Sequence, residues 1–95
     1  MGQEKEYSLK YHRLVSGDVA KLDSFWRMHI RTAIEQKLLT QPGLFGKPLR
    51  HSLKGCRSFR VSDYRVIYTV VQRMVRVLII GHRSDVYEKA EERLE

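Results

Sequence analysis

Three strand-like segments crowd into residues 57–80 with only two or three residues between them, and this spacing narrows the possible folds more than any other feature. Over residues 57–61, Phe59 and Val61 alternate with Ser58 and Arg60, the period-two pattern of a strand with one buried face. Ser62-Asp63 then reads as a two-residue hairpin turn, although the glycine favoured in such turns is missing. Residues 64–71 (YRVIYTVV) are rich in β-branched and aromatic side chains, and Gln72-Arg73-Met74 turns the chain into residues 75–80. Segments this close can be joined only as hairpins, so an antiparallel three-stranded meander is expected.

A meander needs a cover, and the upstream half supplies one. Tyr7, Leu9 and Tyr11 alternate with polar residues and predict a first strand. Val19, Leu22, Trp26, Ile30, Ala33, Ile34 and Leu38 then recur at steps of three and four, an apolar helical stripe. Ser16-Gly17-Asp18 reads as the N-cap cluster, and Asp23-Ser24 as a second cap. The expectation is therefore a helix pair, or one kinked helix, over roughly residues 17–40. Gln41-Pro42-Gly43 stops it, residues 42–52 form a loop, and an Asp85-led segment up to Arg93 makes a short terminal helix. At 95 residues there is room for one core, so residues 1–95 are read as a single α+β domain with a small antiparallel sheet. Its helices lie on one face. The other face is partly open, and there Ser58, Arg60 and Arg65 are expected to point.

Charge is concentrated in the meander. The net charge is +7, and residues 49–83 carry eight Lys or Arg against Asp63 alone, followed by a net-acidic tail. Such clustering is the footprint of a phosphate-bearing partner, or else of strand faces kept soluble. Several functions are excluded or disfavoured. The longest apolar run is broken by Arg76, so no membrane span is expected, and the polar residues 1–6 do not read as a secretory leader. A lone Cys56 permits no internal disulfide and suits a reducing cytoplasm. His12, His29, His51 and His82 lack ligand-like spacing, so no metal and no cofactor is expected. No nucleophile elbow or phosphate-cradling glycine loop is present.

What remains is Lys54, Arg57, Arg60, Arg65, Arg83 and Tyr87. One reaction suits a set with no conventional base. The 2′-hydroxyl of RNA attacks the adjacent phosphate, so the protein need only align the backbone, stabilise the phosphorane charge and manage two protons. Arginine forks match phosphate oxygens, and a tyrosine can accept a proton or stack on a base. Taken singly, each side chain also has a plain structural reading; the functional one rests on the set.

The stretches Leu53-Lys54-Gly55, then FRVSDYRVIY at residues 59–68, then VLIIGHRSDVY at residues 77–87 resemble the RelE family of bacterial toxins. Pro42 and Phe45-Gly46-Lys47-Pro48-Leu49 resemble the loop that precedes them in that family. The resemblance implies a RelE-like fold and a cytoplasmic toxin of a type II toxin–antitoxin pair. Such a toxin enters the ribosomal A site, cleaves mRNA there without a metal, stops translation and is held in check by a cognate antitoxin. It further implies that Arg60 contacts the scissile region, Arg65 stabilises the transition state, Arg83 binds phosphate and Tyr87 is a functional tyrosine. Lys54 and Arg57, read from their charge alone, are expected to position RNA and not to act in catalysis. Ser58 departs from the pattern, standing where relatives have a lysine that assists proton transfer, and His82 is a candidate to share acid–base work. ParE toxins, similar in overall pattern, poison DNA gyrase by binding it and are the alternative reading.

Overall fold

The computed structural model of the chain describes residues 7–94; the polar residues 1–6 and Glu95 lie outside the described residues. Strand β1 (Ser8–Tyr11) leads into helix α1 (Val15–Ala20) and helix α2 (Ser24–Ala33), which runs on as one wide π turn, Ile34–Leu38. A single-turn helix α3 (Pro42–Phe45), a two-residue strand β2 (Lys47–Pro48) and a 3-10 turn (His51–Leu53) follow. The meander is β3 (Arg57–Val61), β4 (Tyr64–Val71) and β5 (Met74–His82), and helix α4 (Val86–Arg93) ends the described chain.

The five strands form one sheet in the order β1-β5-β4-β3-β2. The meander is antiparallel as expected, with Phe59 opposite Val66 and Ile67 opposite Ile79. The first strand departs from that expectation. It joins β5 in parallel, Leu9 opposite Val75, because the intervening helices and meander bring the chain back in the direction in which it left. The loop expected at residues 42–52 also contains structure, since Lys47 and Pro48 pair with Ser58 and Arg57 at the sheet's edge. An edge strand tolerates a proline, which has no N–H to offer a further neighbour.

Asp23 caps α2, its carboxylate accepting from the Trp26 N–H at 3.0 Å. The Ser16-Gly17-Asp18 cluster does not cap α1: the helix begins at Val15, with Leu14 preceding it and no side-chain cap. In the wide turn the Leu39 N–H reaches back to the Ile34 carbonyl at 3.2 Å, and Ile34, Leu38 and Leu39 are all buried against the sheet. Ser62 and Gln72 open the two hairpin turns at φ 57° and 56°, a region favoured by glycine.

The core lies on both sides of the sheet. Under α1 and α2, Phe59, Val61, Val66, Tyr68, Val75, Val77 and Ile80 meet Ile30, Ile34 and Leu38. On the second face, Ile67, Leu78 and Ile79 meet Leu53, Val86 and Ala90 from the 3-10 turn and α4. A bulge between Ile67/Tyr68 and the facing strand leaves Leu78 unpaired, so Leu78 and Ile79 both serve this second, smaller cluster. Among the described residues no helix is long and apolar enough to cross a membrane.

Candidate active site

Alternation along the strands divides the expected site residues between the two faces. Phe59 and Val61 enter the helix-covered core, which turns Ser58 and Arg60 to the second face; Val66 and Tyr68 do the same for Arg65. Arg60 and Arg65 are direct cross-strand partners. Arg60 is exposed. Arg65 donates through Nη1 to the carbonyls of Ser62 and Tyr64, both at 2.9 Å, which fixes the guanidinium plane while leaving Nε–H and both Nη2 hydrogens free of those bonds. Among the described residues neither arginine has an acidic partner within ion-pair distance.

Beside them, α4 crosses the second face close to β5. A Cβ placed on Gly81, the residue opposite Arg65, would sit 3.2 Å from Val86 Cγ2, so the helix start approaches the strand closely at this position. This brings Tyr87, in the first turn of α4, to Ser58: Tyr87 Oη and Ser58 Oγ are 3.2 Å apart. Ser58 is almost wholly buried, so its hydroxyl and that of Tyr87 satisfy each other at the edge of the smaller cluster. Arg83 follows β5 at the rim. Its N–H donates to the Asp63 carbonyl at 2.8 Å, and its Nε lies 3.8 Å from Asp63 Oδ1, a solvent-exposed pair of little strength. Lys54 is exposed just after the 3-10 turn, which itself packs against α4.

Two expected site residues lie elsewhere. Arg57 shares the face of Phe59, and its Nη2 donates to the Gly43 and Gly46 carbonyls at 2.8 and 2.6 Å. It staples the α3 turn to β3 from within the helix side of the sheet and does not join Arg60 and Arg65. Tyr68 completes this staple, donating to the Pro42 carbonyl. A side chain at Gly46 would overlap the Tyr68 hydroxyl, which is why this position is glycine. Burial pushes the Tyr68 phenol above its ordinary value, with the Arg57 hydrogen bond pulling the other way. His82 is the second. It is opposite Tyr64, edge-on to its ring at 6.0 Å, and its Nδ1 accepts from the Ser84 N–H at 3.2 Å. Alternation from Gly81 puts His82 on the opposite face from Arg65.

Asp18 and Arg93 were not singled out by the sequence for any joint role. Arg93 grips the Asp18 carboxylate with both Nη atoms, each contact at 2.7 Å, and both side chains are largely buried. Asp18 also accepts from the Ile80 N–H at 3.1 Å, and Arg93 donates to the Leu78 carbonyl at 3.0 Å. The last β1 hydrogen bond to β5 runs from the His12 N–H to the Val77 carbonyl, so the ion pair takes over the edge of β5 where β1 turns away. Cys56 is buried, and burial raises its thiol pKa, so it is a core residue with little thiolate character. Among the described residues no group of three or more His, Cys, Asp or Glu is placed to hold a metal.

The architecture is thus a small mixed sheet with the α1–α2 pair on one face and the short helix α4 on the other. The family model for the ParE toxin of the type II toxin–antitoxin system parDE matches residues 9–87. Toxin RelE of Mycobacterium tuberculosis is 42% identical over 52 residues, 53% of this chain and 54% of that protein. The toxin–antitoxin complex RelBE2 of the same organism contains a chain that superposes with a TM-score of 0.78 at 27% identity, covering 87% of this chain and 98% of that one. A free arginine-substituted variant of Escherichia coli toxin RelE gives 0.75 at 24% identity over 95% and 99% of the two chains, a likeness of fold. The chain belongs to the RelE/ParE family of type II toxin–antitoxin toxins. It spans about half the length of the curated relatives it matches.

Proposed function

We propose that this toxin is a cytoplasmic mRNA endonuclease that acts on the ribosome, without a metal, using the substrate's own 2′-hydroxyl as nucleophile. The observation that carries the reading is the Arg60–Arg65 pair. Like charges directly opposite each other in an antiparallel sheet destabilise it, and among the described residues no acidic side chain pairs with these two. A polyanion resolves that repulsion. In the reaction the 2′-oxygen attacks phosphorus, the bond from phosphorus to the 5′-oxygen breaks, and the products are a 2′,3′-cyclic phosphate and a 5′-hydroxyl. One proton leaves the nucleophile and one reaches the leaving oxygen. The free Nε and Nη2 donors of Arg65, with Arg60 opposite, meet the equatorial phosphorane oxygens. Tyr87, held on Ser58, handles a proton, and Arg83 and Lys54 at the rim bind flanking phosphates. Ser58 stands where the resembling toxins carry a lysine, which gives Tyr87 a larger share of the proton transfer here. The partners are the ribosomal A site with its mRNA, and a cognate antitoxin; solved relatives include RelBE toxin–antitoxin complexes.

The test is a ribosome programmed with mRNA carrying a single 2′-deoxy residue at the cut site. Cleavage of the all-ribose message, loss of cleavage of the deoxy message and indifference to chelators are expected; cutting of the deoxy message would rule the mechanism out.

The second reading is ParE-like binding to DNA gyrase, favoured by the family model that matches. It needs neither the arginine pair nor Tyr87. On induction it would halt DNA replication first, whereas the endonuclease halts translation first.

A further inference from the structure

Helix α4 is eight residues long, shorter than the roughly 12–15 residues at which a helix begins to persist alone. Its fully buried apolar residues are Val86 and Ala90, one at the start and one at the middle. With Tyr87 packed partly against the same cluster, these contacts choose the face that the helix presents. Beyond Ala90 the last turn adds no fully buried apolar side chain. Polar tethers supply the missing constraint: Ser52 hydrogen-bonds Glu91, and Arg93 closes the bidentate grip on Asp18. The grip is directional, because Asp18 is itself held by the Ile80 N–H and Arg93 by the Leu78 carbonyl. The far end of α4 is thereby fixed to α1 and to the backbone of β5 together. Tyr87 lies six residues earlier, about 9 Å along the axis, with its hydroxyl at Ser58.

We propose that Asp18 and Arg93 are positioning residues for Tyr87: their clamp sets the axis of α4 and so the depth at which the Tyr87 hydroxyl meets Ser58 and the reacting phosphate. The proposal rests on the reading of Tyr87 as a proton-handling group. A bidentate fork, and not merely a positive charge, is required, since an ammonium at position 93 could engage Asp18 or Leu78 without fixing a direction.

The experiment is a double-mutant cycle on single-turnover mRNA cleavage, with Arg93→Ala, Tyr87→Phe and the two combined, read alongside RNA affinity. Arg93→Ala is expected to slow cleavage about 10- to 100-fold, the scale of an ångström-sized misplacement, with RNA affinity unchanged. Combined with Tyr87→Phe it is expected to add nothing further, because both act through one group. Additive losses, or a wild-type rate for Arg93→Ala beside a slow Tyr87→Phe, would overturn the clamp. Should Arg93→Ala not fold, Arg93→Lys keeps the charge and is carried through the same cycle, with a smaller loss of the same kind expected. A fluorotyrosine at position 87 separates the two ideas. If Tyr87→Phe cleaves normally, the proton-handling role falls. The fluorine resonance still decides the clamp, shifting or broadening in the Arg93 variants if it operates and staying in place if it does not.

Discussion

Val66 and Arg65 are neighbours on one strand, yet they belong to surfaces governed by opposite demands. Val66 faces a layer in which Phe59, Tyr68, Val75 and Val77 are closed off by Ile30, Ile34 and Leu38, and where the Arg57 guanidinium is engaged through Nη2 by backbone carbonyls. Arg65 faces a surface that α4 covers only partly. There Arg60 stands opposite it, and the nearby acid Asp63 makes a loose, exposed contact with Arg83. The first arrangement lowers the energy of the folded chain. The second raises it slightly, since two arginines are held side by side with no counter-charge among the described residues. The comparison teaches that net charge is a poor guide to function until the faces are separated: of Arg57, Arg60 and Arg65, all in the same basic stretch, the structure employs one as a staple and leaves two turned outward.

Truncation should expose the difference most strongly on the helix side. Leu38→Ala removes a fully buried side chain from beneath the wide turn and is expected to cost about 2–5 kcal/mol in urea unfolding. A loss below about 1 kcal/mol would mean that this layer is less tightly closed than its burial implies.

A smaller effect should appear with pH. Tyr68 is buried and its phenol is raised above the ordinary value near 10. The unfolded chain therefore ionises first on the way up, and the folded state resists. The stability that Tyr68 contributes is present below about pH 10 and falls as the pH rises through the raised value. Thermal melts between neutral and strongly alkaline pH should decline less steeply for Tyr68→Phe than for the parent. Parallel curves would show that the Pro42–Arg57–Tyr68 staple does not hold the phenol protonated.

Much of this contrast was legible in the sequence, and the omissions have physical causes. Residues 57–61 and 64–71 alternate or branch strongly, and the strands occupy those residues. The same alternation that places Phe59 inward also places Arg57 inward, and likewise sets His82 against Gly81; charge and family likeness point both residues the other way. The parallel pairing of β1 with β5 is not visible there, because it joins residues 66 positions apart and leaves no local mark. Lys47-Pro48 reads as loop since proline argues against a strand everywhere except at an edge. Asp18 reads as a cap because an Asp after Ser-Gly usually is one. Its true partner, Arg93, is 75 residues away and looks like any cation near the end of a polar helix.

The central claim is that the arginines of the second face serve chemistry and not the fold. The most direct measurement pairs two numbers for Arg65→Ala: its melting temperature, and its rate of cleaving mRNA on programmed ribosomes. The account predicts stability within about 0.5 kcal/mol of the parent, as for a surface substitution, and cleavage slower by about 100- to 1000-fold, as for loss of one transition-state donor. Cleavage at the parent's rate, or a loss of activity fully matched by a loss of stability, would contradict it.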